Sequence, residues 1–227
     1  MTTQRVHLTI QEQTFRSLHE VNSRLQQGDD QDLSADLGLI FTEMTNQVLD
    51  QVFMVLIQAN KQQPELAEHA IDAEKALAHI REQLQKYMPW AVGLLSNARL
   101  APVSQHILSH FEQHQTQRYL LCYAVPESLV QALFLSVDKI KQGDEIAIEE
   151  MLKHLVEVID LGVTEFIRKS KTMMKFNLVV DKTLDGVIHL ITSLGYKRIG
   201  NMAKYATPQL ALRYATHFQQ FIYADID

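Results

Sequence analysis

The sequence has few of the residues that interrupt helices or cross-link chains. Its 227 residues include only 8 glycines, 5 prolines and a single cysteine, Cys122. One cysteine excludes an intrachain disulfide and is typical of a reducing compartment, so we predict a cytoplasmic protein. Gln, Leu, Ala, Lys and Glu are abundant. This composition favours helices, because straight-chain residues lose little rotamer freedom in a helix whereas glycine and proline interrupt it.

Long apolar runs and leader-like segments are also lacking. The first ten residues, MTTQRVHLTI, have no basic stretch followed by an apolar one, so no signal peptide is expected. The run VFMVLI, residues 52–57, is far too short to cross a bilayer. We therefore expect no transmembrane segment.

Sequence motifs of the common enzyme families are absent as well. There is no G-x-S-x-G elbow, no Walker loop and no dinucleotide-binding glycine fingerprint. The Glu-x-x-His motif that a ferritin-like di-iron bundle needs is also missing. No family resemblance follows from the sequence. We expect no cofactor and favour a protein without enzymatic activity, although nothing in the sequence decides that question.

Helical periodicity runs through most of the chain. Apolar residues recur every three or four positions over residues 34–60, which predicts a long central helix. Thr9 and Glu12 have the spacing of a capping box, which predicts that a helix begins there. Short connections between periodic segments indicate antiparallel neighbours. We predict an all-α fold, a single-domain bundle of about eight mostly antiparallel helices over residues 1–227. Broad apolar stripes on several helices favour a homodimer.

The stretch QHILSHFEQH, residues 105–114, contains a candidate metal site. His106, His110 and His114 follow one another at intervals of four, and two histidines at this spacing on a helix are a recurrent ligand pair for zinc. His106 and His114 would lie about 12 Å apart along a helix axis, so one ion takes only two of the three. The favoured interpretation is that these histidines sit at the edge of the core. The alternative is a site for zinc or another divalent metal, completed by residues from another helix.

Positive charge is concentrated in one segment, residues 168–204, which is predicted to form a helix and a loop. It carries eight cationic residues and two aspartates, which gives a net charge of +6. Because the whole chain has a net charge of −6, the rest of the chain carries −12. The stretch GYKRIGN, residues 195–201, is predicted to be a loop or a short helix. The candidate anion-binding or partner-binding residues of the segment are Arg168, Lys169, Lys171, Lys175, Lys197 and Arg198.

Three interpretations of this basic segment compete. It packs on the acidic remainder of the chain, it binds an acidic protein partner or nucleic acid, or it makes a peripheral membrane contact. The isoelectric point of about 5.9 argues against nucleic acid. The cations flank the apolar helix and do not form one face of it, which argues against the membrane.

The function that the sequence favours is binding by a non-enzymatic helical protein. Its ligand would be a partner protein or an apolar small molecule in the bundle core. Polar residues are dispersed over predicted solvent faces, and the helices are rich in aliphatic and Met side chains, which adapt to varied contacts. The alternatives are metal binding through the three histidines and association with an anionic surface through residues 168–204. Cys122 lies in the apolar stretch YLLCYAV, so we predict a buried thiol with a raised pKa.

Overall fold

Helices dominate the computed structural model, which describes residues 3–113 and 119–222. The predicted all-α bundle is confirmed, and three short strands are added to it. The helices are α1 (Glu12–Gln26), α2 (Ser34–Leu49), α3 (Val55–Lys61), α4 (Ala67–Val92), α5 (Asn97–Leu108), α6 (Glu127–Lys141), α7 (Ala147–Val163), α8 (Lys169–Met174), α9 (Leu178–Asn201) and α10 (Pro208–Ile222). The strands are β1 (Thr3–Ile10), β2 (Phe111–Gln113) and β3 (Tyr119–Pro126).

The three strands form one antiparallel sheet in the order β1-β3-β2. β1 and β3 pair along their whole length, so that Ile10 lies opposite Tyr119 and Thr3 opposite Pro126. Five consecutive residues at the start of β3 are buried, because the sheet is covered by helices. A strand buried on both faces shows a continuous apolar run and no alternation. The run YLLCYAV therefore could not be distinguished from a buried helix by its periodicity.

The capping box predicted at Thr9 is wrong. Thr9 belongs to β1, and α1 begins at Glu12 without a side-chain cap. The side chain of Gln51 makes hydrogen bonds with the backbone of Thr9 instead, accepting from its N–H at 3.0 Å and donating to its carbonyl at 2.9 Å. The signal for a strand was present, since apolar residues occupy every second position and are buried in the structure (Val6, Leu8 and Ile10).

The central helix predicted over residues 34–60 is present, with a break in its hydrogen-bond pattern. α2 and α3 are joined without a loop by a π-helical turn, Asp50–Met54. A second π turn, Thr164–Arg168, joins α7 to α8 in the same way. Each π turn inserts one residue into an α-helix, which rotates the side chains that follow by about 100°.

Of the two alternatives for residues 195–201, a loop or a short helix, the structure has the helical one, as the end of α9, which continues to Asn201. The side chain of Asn177 caps the start of α9 and accepts hydrogen bonds from the backbone N–H groups of Val179 and Val180, both at 3.1 Å. Along its length α9 packs on α4 and α7. This packing outweighs the low helix propensity of Gly195 and Gly200, which had suggested a loop.

The described helices include none that is long and apolar enough to cross a membrane.

Candidate functional site

A cavity of about 320 Å³ lies between α2, α4, α7, α9 and α10, with β1 and β3 on one side. Its size is at the lower end of the range for small-molecule sites in proteins. Aliphatic, aromatic and Met side chains make up nearly all of its wall. Each of the surrounding helices contributes some of them, for example Val48, Leu84, Val163, Ile188 and Phe218.

Both π turns contribute to this cavity. Val52 and Phe53 come from the turn after α2, and Phe166 and Ile167 come from the turn after α7. Residues 161–168 are all only half-buried although the helix runs through the middle of the fold, because many of their side chains face the cavity. π turns occur frequently at functional sites, where the inserted residue changes which side chains face a ligand.

The hydroxyl groups on the cavity wall differ in their hydrogen bonding. Thr45 and Thr192 each donate to a backbone carbonyl one turn earlier at 2.8 Å, and Tyr123 donates to the carbonyl of Val158 at 3.2 Å. The Oγ of Ser170 is buried and has no hydrogen-bond partner among the described residues. A buried hydroxyl without a partner is unfavourable by about 1 to 3 kcal/mol, and because this oxygen has almost no accessible surface, it does not face the cavity.

The charged side chain on the cavity wall, Lys171, is already paired. Its ammonium group lies 2.9 Å from Oδ1 of Asp181 and 2.6 Å from Oδ1 of Asp185, both in α9. Burial alone would lower the pKa of Lys171, but the hydrogen bonds to these aspartates outweigh it and raise the pKa. Lys171 therefore ties α8 to α9 and does not offer an unpaired charge to the cavity.

A second group of polar residues lies where the end of α5 meets the second π turn. The Nε2 atoms of His106 and His110 are 3.8 Å and 3.2 Å from Oε1 of Glu165. The two imidazole rings meet edge to face, with centroids 4.7 Å apart. All three side chains are largely buried, with 16 to 22% of each exposed. The structure thus brings together two of the three predicted histidines and adds a carboxylate. His114 lies outside the described residues.

The ionic state of Glu165 is set by its neighbours. Partial burial would raise the pKa of its carboxyl, but the hydrogen bond from Lys169 and the positive charges around it lower the pKa overall. Lys169 donates to Oε2 at 2.6 Å, which leaves Oε1 directed at the histidines. Glu165 is therefore an ionised carboxylate with one oxygen available to the two imidazoles.

Glu165 was missed by the sequence reasoning. The expected partners of the histidines were acidic residues that share a regular helical face. Glu165, by contrast, stands beside apolar residues that are predicted to point inward. The π turn places it toward α5, and no periodicity in the sequence indicates a π turn. The only available signal was a carboxylate within the apolar stretch VIDLGVTEFI.

A further group combines His7, Glu112 and Cys122 on the sheet. His7 lies opposite Cys122 in the strand register, and its Nε2 is 3.9 Å from Oε2 of Glu112. The guanidinium of Arg5 contacts the same carboxylate. Burial raises the pKa of Cys122 to about 11, as the sequence predicted in direction, so the thiolate that a metal requires is disfavoured.

The predicted basic residues do not form one patch. Arg168 donates to Asp160 at 2.8 Å, Lys169 to Glu165, and Lys171 to the two aspartates of α9. Lys175, with φ of 51°, ends α8, whereas Lys197 and Arg198 lie near the far end of α9. Arg168 lies close to that far end, because it donates to the same Oδ1 atom of Asp160 as the hydroxyl of Tyr196. Lys175, by contrast, precedes the start of α9 and is separated from Lys197 by most of the length of that helix.

Neither the models of known protein families, nor curated protein sequences, nor solved structures contain a match to this chain.

Proposed function

We propose that the protein is a non-enzymatic binding protein that holds an apolar small molecule in the cavity between α2, α4, α7, α9 and α10. The observation that carries the proposal is a cavity of about 320 Å³ with an almost wholly apolar wall. For comparison, an apolar cavity of about 150 Å³ engineered in another protein is sufficient to bind benzene.

The energetics support a ligand of this kind. The apolar atoms that line the cavity lack neighbours on one side, unlike those of a filled core. An apolar ligand restores the dispersion contacts that the lining atoms lack. Binding would therefore stabilise the fold.

The polar groups of the wall restrict the chemistry of the ligand. Lys171 is neutralised by two aspartates, and the Oγ of Ser170 has almost no accessible surface. We therefore expect an uncharged, mostly hydrocarbon molecule. The described lining residues include no histidine, carboxylate or cysteine. General acid-base catalysis most often uses such groups, although lysine and tyrosine also serve. Among those on the cavity wall, Lys171 is paired with two aspartates, Tyr123 donates to the carbonyl of Val158 and Tyr196 donates to Asp160. Binding is therefore the better supported role.

The proposal is tested with a neutral fluorophore, 1-aminoanthracene, titrated into the wild type and into cavity-filling variants. Val163→Phe and Val48→Phe add ring atoms to the cavity from α7 and α2. Val179→Phe is the matched control, since the same substitution there occurs at a side chain that is 75% exposed. Circular dichroism verifies that each variant is folded.

We expect wild type and Val179→Phe to bind the fluorophore with equal affinity and the two cavity variants to bind at least 10-fold more weakly. Two variants from different helices are used so that a folding failure of one does not decide the result. Equal affinity in all four proteins, or no binding by the wild type, would refute the proposal.

A further inference from the structure

We infer that His106, His110 and Glu165 form a binding site for a divalent transition metal ion, with zinc as the best-suited probe. The ligand atoms are one imidazole nitrogen from each histidine and Oε1 of the carboxylate, and all three lie within 4.8 Å of one another. None of these residues lines the apolar cavity, so this inference does not depend on the proposed function.

The spacing of the ligand atoms fits a tetrahedral ion. Zinc binds imidazole nitrogen and carboxylate oxygen at about 2.0 to 2.2 Å, which places two ligands of a tetrahedral site about 3.3 to 3.5 Å apart. The distance from Nε2 of His110 to Oε1 of Glu165 is 3.2 Å, and that from Nε2 of His106 is 3.8 Å. Shifts of a few tenths of an ångström would complete the geometry.

The hydrogen bond on the other side of the His110 ring also points to a metal ligand. Nδ1 of His110 lies 2.8 Å from the backbone carbonyl of His106. A carbonyl only accepts, so Nδ1 carries the proton, and in the neutral ring Nε2 has a lone pair directed at Glu165. A lone pair and a carboxylate oxygen 3.2 Å apart repel each other unless a proton or a metal ion lies between them, so the same geometry suits an ion pair without metal and a metal site. Metal-binding histidines characteristically donate their second N–H to a carbonyl in this way.

Nε2 of His106 either donates a hydrogen bond or binds the metal ion. This atom lies 3.1 Å from the backbone carbonyl of Glu165, to which it donates a hydrogen bond when protonated. Binding a metal requires that this proton move to Nδ1 or leave the ring, as it does when metal ions bind histidine elsewhere. His106 is therefore the ligand that adjusts on binding, whereas His110 and Glu165 are already oriented.

The surroundings hold Glu165 and His110 in place. Lys169 binds Oε2 of Glu165 at 2.6 Å, so the carboxylate offers the ion only Oε1. The ring of Phe166 meets the His110 ring edge to face, with centroids 5.4 Å apart. Three protein ligands leave one tetrahedral position for water or an added ligand, the arrangement of an open zinc site.

The group on the sheet, His7, Glu112 and Cys122, is the weaker candidate. Arg5 contacts its carboxylate, and burial raises the pKa of its thiol to about 11. At the site of His106, His110 and Glu165, Lys169 contacts only Oε2 of the carboxylate, and no thiol has to lose its proton. Two histidines and one carboxylate also form a recurrent donor set for zinc and for non-haem iron.

The inference is tested by isothermal titration of zinc into the untagged full chain. The variants are His110→Ala and Glu165→Gln, of which the second preserves the shape of the side chain. His79→Ala is the matched control, because His79 forms an isolated pair with Glu82 on the surface of α4, with Nδ1 3.6 Å from the carboxylate. Circular dichroism is recorded for every variant.

We expect one zinc per chain in the wild type and in His79→Ala. Substituting residues that only support a ligand weakens metal binding about 10- to 100-fold. Removing the ligands themselves should therefore weaken zinc binding at least 100-fold in His110→Ala and at least 10-fold in Glu165→Gln. Zinc binding by these two variants at wild-type affinity would overturn the inference, as would a wild type that binds no zinc. The fluorophore titration of the cavity is unaffected by either result.

Discussion

Replacing Ser170 by alanine should make the ligand-free protein more stable. The buried Oγ of Ser170 has no hydrogen-bond partner among the described residues, and its loss removes a desolvation penalty of about 1 to 3 kcal/mol. Alanine also has the higher helix propensity in α8, by a few tenths of a kcal/mol. We expect the free energy of unfolding to rise by about 1 to 2 kcal/mol. For a chain of this size, the melting temperature would rise by about 3 to 6 °C.

Ser104→Ala is the matched control for this gain. Ser104 is a fully buried serine in α5, and its Oγ donates to Oδ1 of Asn22 at 2.8 Å. Removing that hydroxyl breaks a hydrogen bond, so the free energy of unfolding should fall by about 1 kcal/mol. The two serine substitutions are therefore expected to change stability in opposite directions, which differential scanning calorimetry detects directly.

The same substitution should leave ligand binding unchanged. The Oγ of Ser170 has almost no accessible surface, so Ser170→Ala should bind both 1-naphthol, which has a hydroxyl group, and naphthalene, which lacks it, with wild-type affinity. Competition of each compound with 1-aminoanthracene measures the two affinities, and their comparison isolates the contribution of the hydroxyl.

Two results would contradict this reasoning. A loss of stability in Ser170→Ala as large as in Ser104→Ala would mean that the Ser170 hydroxyl has a protein partner. A loss of affinity for 1-naphthol but not for naphthalene would mean that the Ser170 hydroxyl faces the cavity.

Four further outcomes are expected elsewhere in the chain. Gly38→Ala should lower the free energy of unfolding by about 1 to 2 kcal/mol in urea titrations, because its Cβ would lie 3.0 Å from the backbone of Pro89. Gly186→Ala, where nothing lies within 4 Å, should raise it by up to about 1 kcal/mol. Cys122, with a pKa raised to about 11, should react with a disulfide reagent at pH 8 at least about 200-fold more slowly than a free thiol, until denaturant is added. Lys171→Met should lower stability by about 1 to 2 kcal/mol in the same titrations, because it leaves two carboxylates of α9 without their partner.

Those parts of the fold that depend on local periodicity were predictable from the sequence. The central helix over residues 34–60 and the helical class follow from apolar spacing and from the scarcity of glycine and proline. The sheet was not predicted, because β3 is buried on both faces and lacks alternation. In β1 the alternation of Val6, Leu8 and Ile10 was readable. Thr9 and Glu12 also have the spacing of a capping box, however, and this pattern predicted a helix at the same place.

The site was predictable only in part, because it depends on contacts between distant residues. The spacing of His106 and His110 in the sequence was a valid signal of proximity, since residues four apart lie close together at the end of a helix. Glu165 lies 55 residues beyond His110 and approaches it only through tertiary packing. The cavity has no signature in the sequence either. The apolar side chains that line a cavity are of the same types as those that fill a core.

The second π turn explains why the periodicity of apolar residues in the sequence indicates neither candidate site. It inserts one residue between α7 and α8, so every side chain after it is rotated by about 100° from the direction that an unbroken helix would give. Glu165 within the turn faces α5, while Phe166 next to it lies between the His110 ring and the cavity. Phe166 and Ile167 of the same turn line the cavity. The same local change in helix geometry thus supplies the carboxylate of one site and part of the apolar wall of the other.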